Sequence, residues 1–62
     1  MRLSEWKALI ATHCPQAAVV EHGMRHGMLY QAVVDGEPVG EFFTEHHQMV
    51  DDDPVGGGRI GI

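Results

Sequence analysis

The pattern of hydrophobic and polar positions divides the chain into one amphipathic segment followed by three apolar-rich runs. Apolar positions of the first segment recur at spacings of three and four residues: Leu3, Trp6, Leu9, Ile10 and His13. Ser4 is a favourable N-cap residue, and Pro15 disfavours helical backbone at Cys14. The pattern therefore predicts a helix over residues 4–13 whose apolar face packs on a sheet.

Two chain reversals connect the apolar-rich runs that follow the helix. The dipeptide at residues 35–36 is Asp-Gly, the sequence signature of a two-residue hairpin turn, and residues 25–27 fit a three-residue loop that ends in Gly. These loops set His22 opposite Tyr30, and Tyr30 opposite Glu41. A four-residue second loop, with Tyr30 opposite Phe43, leaves the same residues on each face because a two-residue shift preserves parity. The sequence therefore predicts a three-stranded antiparallel meander.

Alternation along the predicted strands assigns each residue to one of two sheet faces. The face that holds more large apolar side chains is the expected docking site of the helix. Its residues are Ala18, Val20, His22, Met24, Met28, Tyr30, Ala32, Val34, Val39, Glu41 and Phe43. On the opposite face we expect Leu29, Val33 and Phe42 to form a half-exposed apolar patch.

The apolar periodicity ends at His46. Residues 51–62 contain three consecutive Asp, a Pro and three consecutive Gly, a composition typical of loops or disorder, although residues 59–62 also fit a short edge strand. A chain of 62 residues can bury only one core. The predicted fold is α+β: one N-terminal helix packed on a three-stranded antiparallel β-meander in a single domain, residues 1–50. A flexible acidic and Gly-rich tail, residues 51–62, follows it.

Charge is distributed unevenly along the chain. The net charge is -5, and the segment from residue 35 to residue 53 contains seven acidic residues and no Lys or Arg. Such a surface repels a phosphate backbone and attracts basic partners, which predicts contact with a basic protein surface and no direct nucleic-acid binding. A simpler alternative is that the charge serves solubility. The predicted partner-binding residues are Glu37, Glu41, Phe42, Glu45, Asp51, Asp52 and Asp53.

Histidine is abundant, with five in the chain, and it is a common ligand of transition metals. The predicted hairpins bring several ligand types to one end of the sheet: His26, Glu45, His46, His47, Met24 and Met28. Imidazole with thioether suits copper, and imidazole with carboxylate suits zinc. No established metal-binding spacing is present, so no metal ligand and no cofactor are assigned.

Acid–base catalysis has one candidate group of residues. His22, Tyr30 and Glu41 fall in a row across the predicted core face, where a carboxylate can orient a phenol or an imidazole. The sequence contains no evident nucleophile motif or phosphate loop, and a chain this short leaves little room for a deep pocket. The chain is therefore predicted to be non-enzymatic, with no catalytic residue.

The leading functional hypothesis is a small acidic inhibitor that occupies a basic, nucleic-acid-binding type of surface on a larger protein or protein–nucleic acid complex. In size, acidity and lack of motifs the chain resembles, as a class only, inhibitors that phages encode against host defence, such as anti-CRISPR proteins. No apolar stretch reaches the roughly 20 residues of a membrane span, and the single Cys14 forms no internal disulfide, so we expect a cytoplasmic monomer or homodimer. The alternatives are a His/Met metal-binding module and an assembly subunit whose edge strands pair between copies.

Overall fold

The fold is a four-stranded antiparallel sheet with one α-helix on one of its faces. A computed structural model describes residues 1–61 of the chain. The elements are α1 (Leu3–His13), β1 (Ala18–Met24), β2 (Gly27–Val34), β3 (Glu37–Glu45), a short 3-10 helix (His46–Gln48) and β4 (Gly57–Ile60). Neighbours in sequence are neighbours in the sheet, in the order β1-β2-β3-β4. The predicted α+β architecture is confirmed, and the sheet has one strand more than the predicted meander.

The core lies between α1 and the half of the sheet that β3 and β4 form. Trp6 and Phe42 are fully buried, and the centroid of the Phe42 ring lies 5.8 Å from that of Trp6 and 6.1 Å from that of Tyr30. Leu9, which the helical pattern placed on the buried face, is 37% exposed. All seven residues of β1 are exposed, because α1 packs mainly on β3 and β4. The buried apolar residues are Leu3, Trp6, Ile10, Tyr30, Ala32 and Phe42.

The start of α1 is stabilised by an acidic residue from the far end of the chain. The N-cap is Arg2 and not the predicted Ser4. Ser4 donates two hydrogen bonds to the Asp53 carboxylate, from its backbone N–H at 2.8 Å and from its hydroxyl at 2.6 Å. The backbone N–H of Arg2 donates to Glu5 Oε1 at 3.0 Å. These acceptors satisfy N–H groups that a helix start leaves without a partner, so the helix begins before the sequence signal.

The second hairpin turn forms as predicted, whereas the first is one residue shorter. Asp35 and Gly36 have φ angles of 52° and 83°, the left-handed conformation that a type I′ turn requires at both positions. In the first hairpin Met24 pairs with Gly27, so the loop has two residues, and His22 lies opposite Leu29 and not opposite Tyr30. This one-residue difference reverses the predicted faces of β1.

A β-bulge in β3 reverses the predicted faces of that strand. Ala32 pairs with Gly40 and Val33 pairs with Pro38, which leaves Val39 as an extra residue. Beyond the bulge every residue of β3 is displaced by one position, so Tyr30 lies opposite Phe42 and not opposite Glu41 or Phe43. The prediction that Glu41 and Phe43 face the helix is therefore wrong.

Residues 51–61 are an integral part of the fold. Next to β4, the chain bonds to its own beginning: the Leu3 N–H donates to the Pro54 carbonyl at 2.9 Å, and the Gly56 N–H donates to the Met1 carbonyl at 2.8 Å. A Cβ atom on Gly58 would lie 2.7 Å from Trp6 Cδ1, so this glycine permits close packing of the indole. The edge strand predicted as an alternative for residues 59–62 is observed at Arg59 and Ile60, and it begins two residues earlier, at Gly57. Ile62, the last residue of the predicted tail, lies outside the described residues.

Candidate protein-binding face

The sheet face opposite α1 is not covered by any element of residues 1–61. We call it the open face. The residues of this face are assigned from the observed strand pairing, because residues directly opposite each other share a face. Most of its side chains are apolar or uncharged. The residues are Ala18, Val20, His22, Met24, Leu29, Gln31, Val33, Glu41, Phe43 and Arg59.

Leu29 and Phe43 form the centre of the open face. They are direct cross-strand partners, and each is half-buried. Beside them Arg59 donates from Nε to Glu41 Oε1 at 2.8 Å, and its Nη2 contacts the same oxygen. These four side chains line a shallow depression of about 360 Å³. An apolar pair next to a charged pair on an accessible surface provides both an anchor and a directional polar contact for a partner.

Phe42, a predicted partner-binding residue, lies in the core. Its side chain is fully buried on the helix side of the sheet, so the prediction that it is exposed is wrong. The physical reason is the extra residue at Val39, which exchanges the orientations of Phe42 and Phe43. Phe43 was therefore missed as a surface residue. A Pro and a Gly on either side of Val39 were the available signal, because both residues mark bulges in strands.

Glu41 and Asp53, two of the predicted partner-binding acids, accept hydrogen bonds from other side chains of the chain. The carboxylate of Glu41 is paired with Arg59, and Asp53 accepts hydrogen bonds from Ser4. The side-chain and backbone hydrogen bonds from Ser4, and the nearby charges of Arg2 and Lys7, lower the pKa of Asp53 below its ordinary value. Asp53 therefore has a structural role that the sequence pattern did not reveal.

The remaining acids lie at opposite ends of β3 and do not form one surface. Glu37 is exposed at the beginning of the strand, and Glu45 is exposed at its end, where it lies 3.3 Å from His47 Nδ1. Asp51 and Asp52 are exposed in the loop that follows. A nine-residue strand is about 27 Å long, which exceeds the Debye length of about 8 Å at physiological ionic strength. The two acidic groups therefore act on a partner independently.

Three of the four basic side chains are also engaged within the chain. Arg2 donates from Nη1 to the Asp53 carbonyl at 2.8 Å, and Arg59 is paired with Glu41. The Lys7 ammonium lies 5.9 Å from the centroid of the Tyr30 ring. Each of these three cations lies beside a group with negative or partial negative charge, which offsets part of its field. The exposed acids therefore dominate the electrostatic field at the surface.

The described residues assemble neither the catalytic row considered from the sequence nor a metal site built from His, Cys, Asp and Glu side chains. Among residues 1–61 no three His, Cys, Asp or Glu side chains are placed to hold a metal ion. The ring Nε2 of His46 lies 3.1 Å from the Arg25 carbonyl oxygen. The predicted catalytic row is also absent, because Tyr30 lies on the helix side of the sheet whereas His22 and Glu41 lie on the open face. Burial, and then the nearby charge of Glu21, raise the pKa of the Tyr30 phenol, which keeps it protonated at neutral pH.

The geometry can be compared with that of known proteins. This chain matches no protein-family model, no curated protein and no solved structure. With eleven residues, α1 is shorter than a membrane span, and none of the described residues forms a helix that could cross a bilayer.

Proposed function

We propose that the protein is a non-enzymatic binding module that occupies a basic surface of a larger protein or protein–nucleic acid complex in the cytoplasm. The observation that carries the proposal is the Leu29–Phe43 pair at the centre of an uncovered sheet face. Aromatic and aliphatic side chains in the middle of a contact surface usually contribute most of the binding energy. This pair replaces the Phe42 anchor expected from the sequence.

The shape of the open face favours a macromolecular partner. Its depression is shallow, whereas sites for small molecules are concave and enclose most of the ligand. An apolar centre that shares its face with the charged residues Glu41, Glu45 and Arg59 corresponds to the core and rim of a protein–protein interface. The face therefore fits a partner of protein size better than a substrate.

The charge distribution favours a basic partner. Glu37 at one end of β3, and Glu45, Asp51 and Asp52 at the other, are exposed on the periphery of the sheet. Charges of this kind accelerate encounter with a surface of opposite sign and contribute less to the final affinity. Small size and acidity support the resemblance of class to phage-encoded inhibitors, and inhibition by occupying a basic surface is the corresponding mechanism.

The proposal is tested with a partner captured from bacterial lysate on the immobilised protein and then identified and purified. Affinity is measured for wild type, Phe43→Ala and Leu29→Ala, with Val50→Ala as the matched control, because Val50 is 86% exposed and lies outside the open face. We expect each open-face variant to weaken binding at least tenfold, since central anchors contribute about 2 kcal/mol or more. Val50→Ala should bind as wild type does.

The electrostatic part is measured separately as an association rate. A variant with Glu37, Glu45, Asp51 and Asp52 changed to Gln or Asn should associate more slowly, and the rate for wild type should fall as salt increases. Equal binding by Phe43→Ala and Val50→Ala would refute the open face as the contact surface. Rates that do not respond to salt or to the neutralised acids would show that the negative charge serves solubility.

A further inference from the structure

The two outer edges of the sheet differ in whether another segment of the chain bonds beside them. Beside β4, backbone groups of residues 54 and 56 bond to the N-terminal segment. β1 is an edge strand of the sheet, and no segment of residues 1–61 pairs with its outer edge. Of the features that usually protect an edge from pairing with another chain, the strand has no Pro, Lys, Arg or bulge and a single charged residue, Glu21.

The register identifies which backbone groups of β1 are available. In an antiparallel sheet, alternate residues of a strand bond to the neighbour on one side or the other. The His46 N–H donates to the His26 carbonyl, so even-numbered residues of β2 bond to β3 and odd-numbered residues bond to β1. Their partners in β1 are its even-numbered residues. The N–H and C=O groups of Val19, Glu21 and Gly23 therefore point outward.

We propose that β1 is a self-association edge, at which a second copy of this chain pairs antiparallel about a two-fold axis at His22. A two-fold axis between antiparallel strands is perpendicular to the sheet, so the helices of both copies lie on the same side of it. Each even-numbered residue of β1 then pairs with an even-numbered residue of the partner, and each odd-numbered residue with an odd-numbered one. The product is a continuous eight-stranded sheet. This inference does not depend on the proposed function, since it uses the edge of β1 and not the centre of the open face.

Charge selects the axis at His22 over the axis at Glu21. An axis at Glu21 would place this carboxylate directly opposite the partner's Glu21, and like charges in that position are destabilising. The axis at His22 places Glu21 opposite the partner's Gly23 and diagonal to the partner's Arg25. A glycine at this position leaves room for the carboxylate, because no atom lies within 4 Å of the site where a Gly23 Cβ would stand.

Burial also favours this register. Val19, Val20 and Met24 are large apolar residues of one short strand, and they are 39%, 39% and 47% exposed. With the axis at His22, Val20 lies opposite the partner's Met24. Because of the two-fold symmetry, each dimer contains two such pairs, and each pair covers apolar surface of both residues. An axis at Val20 would instead leave Met24 beyond the paired region. A single strand pair buries less surface than a standard interface of about 1,600 Å², so the dimer is expected to be concentration-dependent.

The first experiment measures association by sedimentation equilibrium from about 1 µM to about 1 mM of the untagged chain. Wild type should pass from monomer to dimer within this range. Val20→Lys should raise the Kd for dimerisation at least tenfold, because each dimer would hold two added charges among apolar neighbours at the shared edge. Val50→Lys is the matched control, the same substitution at a residue that is 86% exposed and lies outside the sheet.

The second experiment tests the register with cysteines in a Cys14→Ser background. His22→Cys places its sulfur on the axis in a non-hydrogen-bonded pair, whose Cα–Cα distance of about 4.5 Å permits a disulfide. Val20→Cys is the control, since the two copies of residue 20 would be four positions apart, about 13 Å, beyond the reach of a disulfide. We expect oxidation to cross-link the His22→Cys variant rapidly and the Val20→Cys variant slowly.

Each result decides the proposal. Support requires a dimer that Val20→Lys weakens and Val50→Lys does not, together with preferential cross-linking at residue 22. Wild type that stays monomeric up to about 1 mM would overturn it. Equal association of the two lysine variants, or faster cross-linking at residue 20 than at residue 22, would overturn the edge or its register.

Discussion

Separate replacement of Phe42 and Phe43 by Ala tests the bulge that orients β3. Phe42 has 0% exposure and lies between the rings of Trp6 and Tyr30, at centroid distances of 5.8 and 6.1 Å. Truncating a buried Phe costs about 3 to 5 kcal/mol. The total free energy of unfolding of a 62-residue domain is about 3 to 9 kcal/mol, so Phe42→Ala should remove at least about a third of that stability, and all of it if the domain is at the low end of the range.

The neighbouring substitution should have a much smaller effect. Phe43 is half-buried on the open face, so we expect Phe43→Ala to cost about 1 kcal/mol. Urea unfolding followed by the fluorescence of Trp6, the sole tryptophan, measures both losses. Phe42→Leu keeps most of the buried volume and supplies a measurable variant, with a loss of about 1 to 1.5 kcal/mol, if Phe42→Ala does not fold. A loss for Phe43→Ala as large as that for Phe42→Ala would refute the assigned faces.

Three further predictions concern the turn, the helix start and metal. Gly36→Ala should lower the free energy of unfolding by about 1 to 2 kcal/mol, measured by urea titration, because residue 36 has a φ of 83°. Gly57→Ala is the control and should have little effect, because Gly57 is exposed and has open space around its Cβ position. Asp53 has a pKa below its ordinary value of 3.8, so its stabilising contribution is complete above that pH and is lost as pH falls through the folded-state pKa. The difference in Tm between wild type and Asp53→Asn should therefore narrow as the solution is acidified from about pH 6 to below about pH 3, and a constant difference would contradict this role. EDTA should leave the Tm unchanged, and a folded spectrum that requires zinc or copper would contradict the assignment of no metal ligand.

Local rules predicted several parts of the fold from the sequence. The helix ends at His13 as predicted, with Trp6 and Ile10 buried, because periodicity and a following proline act within a few residues. The turn at Asp35 and Gly36 forms with the expected conformation for the same reason. These features depend on neighbouring residues only, so a single sequence contains the information for them.

Features that depend on distant contacts could not be predicted in the same way. One extra residue at Val39 changes the orientation of everything that follows it in β3, and alternation alone cannot locate such an insertion. The glycines of residues 56–58 resembled a disordered composition, yet a Cβ on Gly56 would lie 2.8 Å from Phe42 Cζ. The aromatic core requires the small size of Gly56 and Gly58, and that requirement is visible only once the core is assembled.

The bonds between the two ends of the chain determine the order in which the molecule can fold. Each hairpin joins strands through a two-residue turn, so β1, β2 and β3 can pair on the microsecond timescale of local structure. The Ser4–Asp53 hydrogen bonds join residues that are 49 positions apart, and such contacts pay the entropy of closing a long loop before they contribute stability. During synthesis, we therefore expect the helix to dock and the aromatic core to close only after Asp53 and β4 have left the ribosome.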